Sequence, residues 1–196
     1  MNVKIGYTTQ FIAAVWWNDR LIMSNYEVTF KLITAGMDPA NTNTALDRLK
    51  YMLEEYLIDA VFVNHTDIDQ IKKLKAAGIK VVVMPEEPVD QIIGMMLYYK
   101  LNAIMEGRMI VRSLDISSTL GDSVWYQHDD EDPIGPFAQE GWWHDSTVKH
   151  NAIDFAEEDA NVLKVMPNAW VDYGLLWPNE QPLNTTSLIP DLHDSD

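Results

Sequence analysis

The sequence predicts an α/β fold with a mixed sheet: an N-terminal antiparallel hairpin or meander, then helix, strand, helix, strand, helix. Three observations carry this prediction. Two short apolar runs, residues 59–64 and 79–84, suit strands buried on both faces. The stretch between them has helical apolar spacing, so the two strands and their connection read as a parallel βαβ unit. Residues 3–30 are rich in β-branched and aromatic side chains and are interrupted at Asn18-Asp19, a pair suited to a tight turn.

In chain order, residues 3–9 read as a first strand, and 10–17 as its extension or a second strand. Residues 20–30 form the returning strand. Residues 37–43, with Asp38, Pro39 and a run of Asn and Thr, read as a loop. Thr44 and Asp47 open a helix whose apolar face carries Leu46, Leu49, Leu53, Tyr56 and Leu57. After the strand at 59–64, Thr66 and Asp69 resemble a capping box, and Ile68, Ile71, Leu74 and Ala77 recur at helical spacing before Gly78. Pro85 stops the strand at 79–84, and Glu87-Pro88 resemble N-cap and first turn of a long helix reaching Glu106. Residues 109–116 read as a short strand or a return segment.

Two or three antiparallel strands followed by alternating helices and strands over about 110 residues resemble the ribonuclease H-like fold in topology. The resemblance implies an acidic residue on the first strand in nucleases of that fold, for two-metal chemistry. The first strand here, from Val3 to Thr9, has no carboxylate, which argues against nuclease activity by that route.

The net charge of −16 is unevenly distributed. Residues 1–112 hold 12 Lys/Arg against 13 Asp/Glu, whereas residues 113–196 hold only Lys149 and Lys164 against 17 acids. A boundary near Arg112 therefore divides an α/β domain, 1–112, from an acidic extension, 113–196, of mostly irregular structure. The extension carries five of the seven tryptophans and six of the nine prolines, so part of it is expected to pack on the domain or on a partner. Asn151 to Met166 reads as a helix, and Pro178 to Asp196 as an extended arm. With so few cations, direct nucleic-acid binding by this part is not expected. There are no cysteines, which excludes disulfides and thiolate sites and fits a reducing, cytoplasmic location. No apolar run is long enough for a membrane span.

Candidate functional residues fall in two places. Open parallel sheets bind ligands beyond the carboxyl ends of their strands. Thr8, Thr9, Asn64, His65, Thr66, Asp67, Glu86 and Glu87 would gather there and suit an amine, a hydroxyl or a ribose. His65 could act as a general base oriented by Asp67 or Glu86, although capping alone accounts for Thr66 and Asp67 on one helix and for Glu86 and Glu87 on the next. The second place is His128 with Asp129, Asp130, Glu131 and Asp132, followed by His144, Asp145 and His150. Imidazole and carboxylate together suit a divalent cation, but four consecutive acids lack the alternation and glycine of a calcium loop. Whether a metal binds is left open, and no cofactor is expected: glycine-rich phosphate loops and the Gly-x-Ser-x-Gly elbow are missing from the sequence.

Three functions follow as expectations. The first is a non-enzymatic interaction or inhibitory protein. It would bind a basic protein partner through Trp125, Trp142, Trp143 and the acids Asp129 to Asp132, one variant being mimicry of nucleic acid. The second is a protein, binder or enzyme, for a small nucleotide- or sugar-like ligand at the strand ends. The third is a structural subunit whose acidic arm wraps a neighbour in a homo-oligomer or larger assembly.

Overall fold

A computed structural model describes residues 3–34, 36, 38–121, 124–148 and 169–180. Six strands form one mixed sheet: β1 (Lys4–Trp17), β2 (Arg20–Thr34), β3 (Val61–Asn64), β4 (Val81–Met84), β5 (Met109–Ser118) and β6 (Trp125–Asp129). Their spatial order is β4-β3-β1-β2-β5-β6. The helices are α1 (Pro39–Tyr51), α2 (Ile68–Ala76), α3 (Asp90–Met105) and the short α4 (Ala169–Asp172).

The hairpin expected at the N-terminus is present, and it is longer than its sequence suggested. Residues 4–17 are one strand, paired with β2 from Lys4↔Ile33 to Trp17↔Arg20. Asn18 and Asp19 both have positive φ, 49° and 57°, as a two-residue turn matched to the twist of the strands requires. β3 and β4 run parallel to β1 and are buried on both faces, as their apolar runs predict. Phe62, Val82 and Met84 face one core. Val61, Val63, Val81 and Val83 face a second, smaller one with Leu74 of α2. Thus α1 and α3 cover one face of the sheet, and α2 covers part of the other.

Three local expectations are corrected. The polar segment after Met37 is not a loop: α1 starts at Pro39, because Asp38 Oδ1 accepts the Ala40 N–H at 3.0 Å and proline tolerates the first helical turn. Asp67, rather than Thr66, is the N-cap residue of α2. Val89 is the N-cap of α3, not Glu87.

The third antiparallel strand comes from an unexpected part of the chain. β5 follows α3, crosses back to pair with β2 over Tyr26↔Ser118 to Thr34↔Met109, and gives its other edge to β6. Arg112, where the charge balance changes, lies inside β5. Phe137, Trp143, Trp170 and Trp177 join the same core cluster as α1, α3 and the hairpin. Two buried cations anchor these later segments. Arg48 of α1 donates to Leu175 O and Ile104 O, at 2.9 and 3.0 Å, and pairs with Glu106 at 3.0 Å. Lys100 of α3 donates to Trp142 O, Asp145 O and Thr147 O, at 3.0, 2.6 and 2.7 Å. The expected helix at 151–166, His150, and the arm from residue 181 onward lie outside the described residues. No helix among the described residues is long and apolar enough to cross a membrane.

Candidate functional site

β1, β3, β4 and β5 all end at the same edge of the sheet, yet the residues expected to converge there are split. β3 meets β1 at Ala14↔Val61 and Val15↔Phe62. Continuing that register sets Asn64 beside Trp17, so Thr9 lies eight residues away along β1, roughly 26 Å at the rise of an extended strand. Thr8 and Thr9 are therefore not part of a strand-end site. Thr8 faces the side of the sheet opposite α1 and α3, where its hydroxyl lies 3.0 Å from that of Thr29.

Asn64, Thr66 and Glu87 do come together, but they bond to one another. Asn64 donates from Nδ2 to Glu87 Oε1 at 3.0 Å. Its Oδ1 accepts both the Thr66 N–H and the Thr66 hydroxyl at 3.0 Å. This is a side-chain turn that closes the β3–α2 connection. His65 and Glu86 are exposed. Asp67 lines a shallow depression of about 490 Å³ with Trp16, Asp19, Asp69 and Lys73, whose mixed charges select no ligand class.

The second cluster is more organised than its sequence suggests, because residues 125–129 are strand β6. Pairing with β5 at Leu114↔His128 and Ser117↔Trp125 fixes which side chain faces which way. His128 points to the α3 side, where its ring lies edge-on to Tyr98 at 4.7 Å and near Tyr99 at 5.9 Å. It is 6% exposed. Its Nδ1 lies 3.3 Å from Asp132 Oδ2. Burial pushes its pKa below the ordinary histidine value, against the opposing pull of Asp132 and Asp129. Its Nε2 is buried and has no hydrogen-bond partner among the described residues.

The acids after His128 form a turn that closes on itself. The Asp129 N–H donates to Asp132 Oδ2 at 2.9 Å, and the Glu131 N–H to Asp129 Oδ1 at 3.0 Å. Asp130 pairs with Arg112 of β5 at 2.6 Å. Among the described residues no group of three or more His, Asp or Glu side chains is placed to hold a metal ion.

The tryptophans expected to make a contact surface separate into three kinds. Trp143 is buried and donates its indole N–H to Phe137 O at 3.2 Å; it is a core residue, not a contact residue. Trp142 is half-buried and tied to Val83 O at 3.0 Å, so it too serves the fold. Trp125 is 61% exposed on the outer strand and keeps its availability.

Sequence reasoning did not find the depression beside His128. It is a cleft of about 300 Å³ between the first turns of α3 and the β5–β6 edge. Gln91, Gly94 and Met95 come from α3, Ile116 from β5, and Tyr126, Gln127, Asp132 and Gly135 from some forty residues further on. Only the antiparallel return of β5 and β6 brings them together, so no local pattern announces it. Gly94 was its one signal: a Cβ there would sit 2.7 Å from Ile116 Cγ2, so glycine sets how closely α3 approaches β5.

No protein-family model matches the sequence, and no curated protein matches it. Among solved structures, the chain is similar to an uncharacterised protein from Wolinella succinogenes, at 14% identity and a TM-score of 0.49, covering 67% of this chain and 99% of that one. It is also similar to a catalytic-residue mutant of Plasmodium vivax 6-pyruvoyltetrahydropterin synthase, at 11% identity and a TM-score of 0.43, covering 65% and 97%. The Plasmodium falciparum 6-pyruvoyl tetrahydropterin synthase follows at 10% identity and a TM-score of 0.39, covering 65% and 96%. Identities this low carry no residue role from those proteins to this chain.

Proposed function

We propose that this is a non-enzymatic interaction protein that takes a basic protein partner along its outer strand β6. One observation carries the reading. β6 ends the sheet, with no strand beyond it among the described residues, and it presents exposed Trp125 and Tyr126 directly before the acidic turn Asp129–Asp132. An open strand edge offers backbone N–H and C=O groups to an extended segment, while side chains alternate between the two faces. Trp125 supplies a large apolar anchor. The described stretches beyond residue 112 hold nine carboxylates and no Lys or Arg, so a cationic partner would be drawn to this side.

The reading includes a cytoplasmic location, and inhibition of the partner is one form it could take. The ribonuclease H-like resemblance is supported by the hairpin with two parallel strands beyond β1. The origin of β5 after α3 departs from it, and the interaction reading does not depend on it.

The test is titration calorimetry of the full chain with arginine- and lysine-rich peptides of high strand propensity. Affinity should fall by about tenfold or more between about 0.05 and 0.3 M salt, as screening removes the attraction. It should also fall on Trp125→Ala, whose fold remains intact because the side chain is exposed. Binding that ignores both salt and Trp125 would remove the basis of this reading.

A further inference from the structure

A groove opens on the other face of the sheet, opposite α1 and α3. The strand registers set four side chains in one row across it: Gln10 on β1, Glu27 on β2, Ser117 on β5 and Trp125 on β6. At the spacing of neighbouring strands, the backbone of Trp125 lies about 10 Å from that of Glu27, with only a serine between them. These residues line one depression of about 530 Å³, with Asn25 and Thr119 at one end. Its polar side chains hold one another in place. Gln10 donates from Nε2 to Glu27 Oε2 at 2.7 Å, and its Oε1 accepts from Asn25 Nδ2 at 3.4 Å. Thr119 Oγ1 accepts the Asn25 N–H at 3.2 Å and lies 3.0 Å from the Ser24 hydroxyl. One Glu27 oxygen, Asn25 Oδ1 and the Trp125 indole N–H have no hydrogen bond among the described residues.

We propose that this groove binds a pyranose sugar. The inference goes beyond the interaction reading above and does not depend on it. The lining chemistry selects the ligand class. No Lys, Arg or His lines the groove among the described residues, so an anionic ligand finds no counter-charge. A cation finds a single carboxylate, already shared with Gln10. A hydroxyl is donor and acceptor at once, and this site offers both complements: Glu27 and Asn25 Oδ1 accept, and the second Gln10 N–H donates. A pyranose with equatorial hydroxyls, the glucose configuration, carries its polar groups on the rim and C–H bonds on its two faces. One face lies against the exposed Trp125 ring, an apolar body with a polar tip. The rim then turns its hydroxyls to Glu27, Asn25 and Ser117. Serine in the middle of the row is what leaves room for the ring.

The experiment is an NMR titration of the isotope-labelled full chain with methyl β-D-glucopyranoside, with adenosine and glycerol as comparisons. The glucoside should bind with a Kd on the order of millimolar, as a ligand of its size implies. It should move the Trp125 indole N–H and the side-chain amides of Gln10 and Asn25, and leave the resonances of α1 and α3 in place. Trp125→Ala and Glu27→Ala should each weaken it by about fivefold or more, through loss of the stacking surface and of the acceptor. Both side chains are exposed, so an unchanged spectrum elsewhere serves as the check of folding. Glu27→Ala should leave binding of basic peptides at β6 intact, which separates this site from the partner contact that also uses Trp125. No shift up to about 50 mM glucoside, shifts confined to other parts of the chain, or an affinity that survives both substitutions overturns the sugar site and leaves the interaction reading standing. Adenosine or glycerol binding as tightly at the same residues overturns it too: the first would make Trp125 a platform for bases, the second a site for any hydroxyl.

Discussion

The Arg48 guanidinium lies 3.9 Å from the centre of the Trp177 ring, although the two residues are 129 positions apart. Trp170 approaches the same guanidinium at 4.6 Å, and Arg108 approaches Trp177 at 4.1 Å. Arg48 is 1% exposed, yet its charge is met by Glu106 and by two backbone carbonyls. A cation on α1 is therefore what the acidic, tryptophan-rich segment 169–180 closes around.

Arg48→Ala should cost about 3–5 kcal/mol, because it removes a buried cation and leaves the carbonyls of Ile104 and Leu175 and Glu106 Oε1 without their donor, while Glu106 Oε2 keeps Arg108 and the Trp177 indole N–H. In a chain of this size that corresponds to a melting temperature lower by roughly 6–20 °C. Calorimetry or thermal circular dichroism reads it directly. A loss under about 1 kcal/mol would mean the segment 169–180 contributes little to the fold.

Lys100 plays the same part for residues 142–147. It is 2% exposed and bonds three carbonyls. Lys100→Met preserves length and apolar bulk but strands those acceptors. The expected loss is about 2–4 kcal/mol, with hydrogen exchange faster at residues 142–148 than across β1 and β2. Uniform acceleration through the whole sheet would contradict this local role.

Gly94 tests the contact that shapes the cleft. Gly94→Ala places a methyl 2.7 Å from Ile116 Cγ2 and 3.4 Å from Leu114 Cδ1. Overpacking should outweigh the better helix propensity of alanine, for a net loss of about 1–3 kcal/mol. Denaturant titration decides the sign; a gain in stability would show that α3 can withdraw from β5 without strain.

Two groups set the pH dependence in opposite senses. Burial raises the pKa of Asp90, against hydrogen bonding from Ser118, so the native state holds that proton more tightly than the unfolded chain. Its contribution to stability is complete below the ordinary aspartate pKa and is lost as pH rises through the raised value, so Asp90→Asn should be more stable than the parent near neutral pH. This advantage should shrink as the medium is acidified toward about pH 4. His128 acts the other way. Its lowered pKa means that the unfolded chain binds the proton first, so stability falls as pH drops through about 6.5, and His128→Gln should remove that component. Urea titrations of the three proteins across this range test both signs.

The parts of the fold legible in the sequence are those fixed by local chemistry. Asn18 and Asp19 tolerate positive φ, so the hairpin turn announces itself. The residues of β3 and β4 are apolar on both faces because helices cover both faces. The strand β6 was not legible, since Trp125-Tyr126-Gln127-His128-Asp129 contains no apolar alternation; it is a strand because β5 pairs with it. The site divided in the same way. Trp125 and the acids of the proposed contact were named from composition alone, whereas the half-burial of Trp142 and the full burial of Trp143 depend on Lys100 and α3 reaching them from forty residues away.

By itself the sequence determined the element types through β4 and α3, the βαβ unit, and the concentration of acid and tryptophan after Arg112. Tertiary structure alone decided that β5 fills the place beside β2 and that Arg48 and Lys100 draw the acidic segments onto the core. It also decided that His128 and Asp132 meet α3 across a cleft. The reason is physical: propensity, turn chemistry and periodicity act over a few residues, while register, strand order and the pairing of buried charges are fixed by contacts between distant parts of the chain.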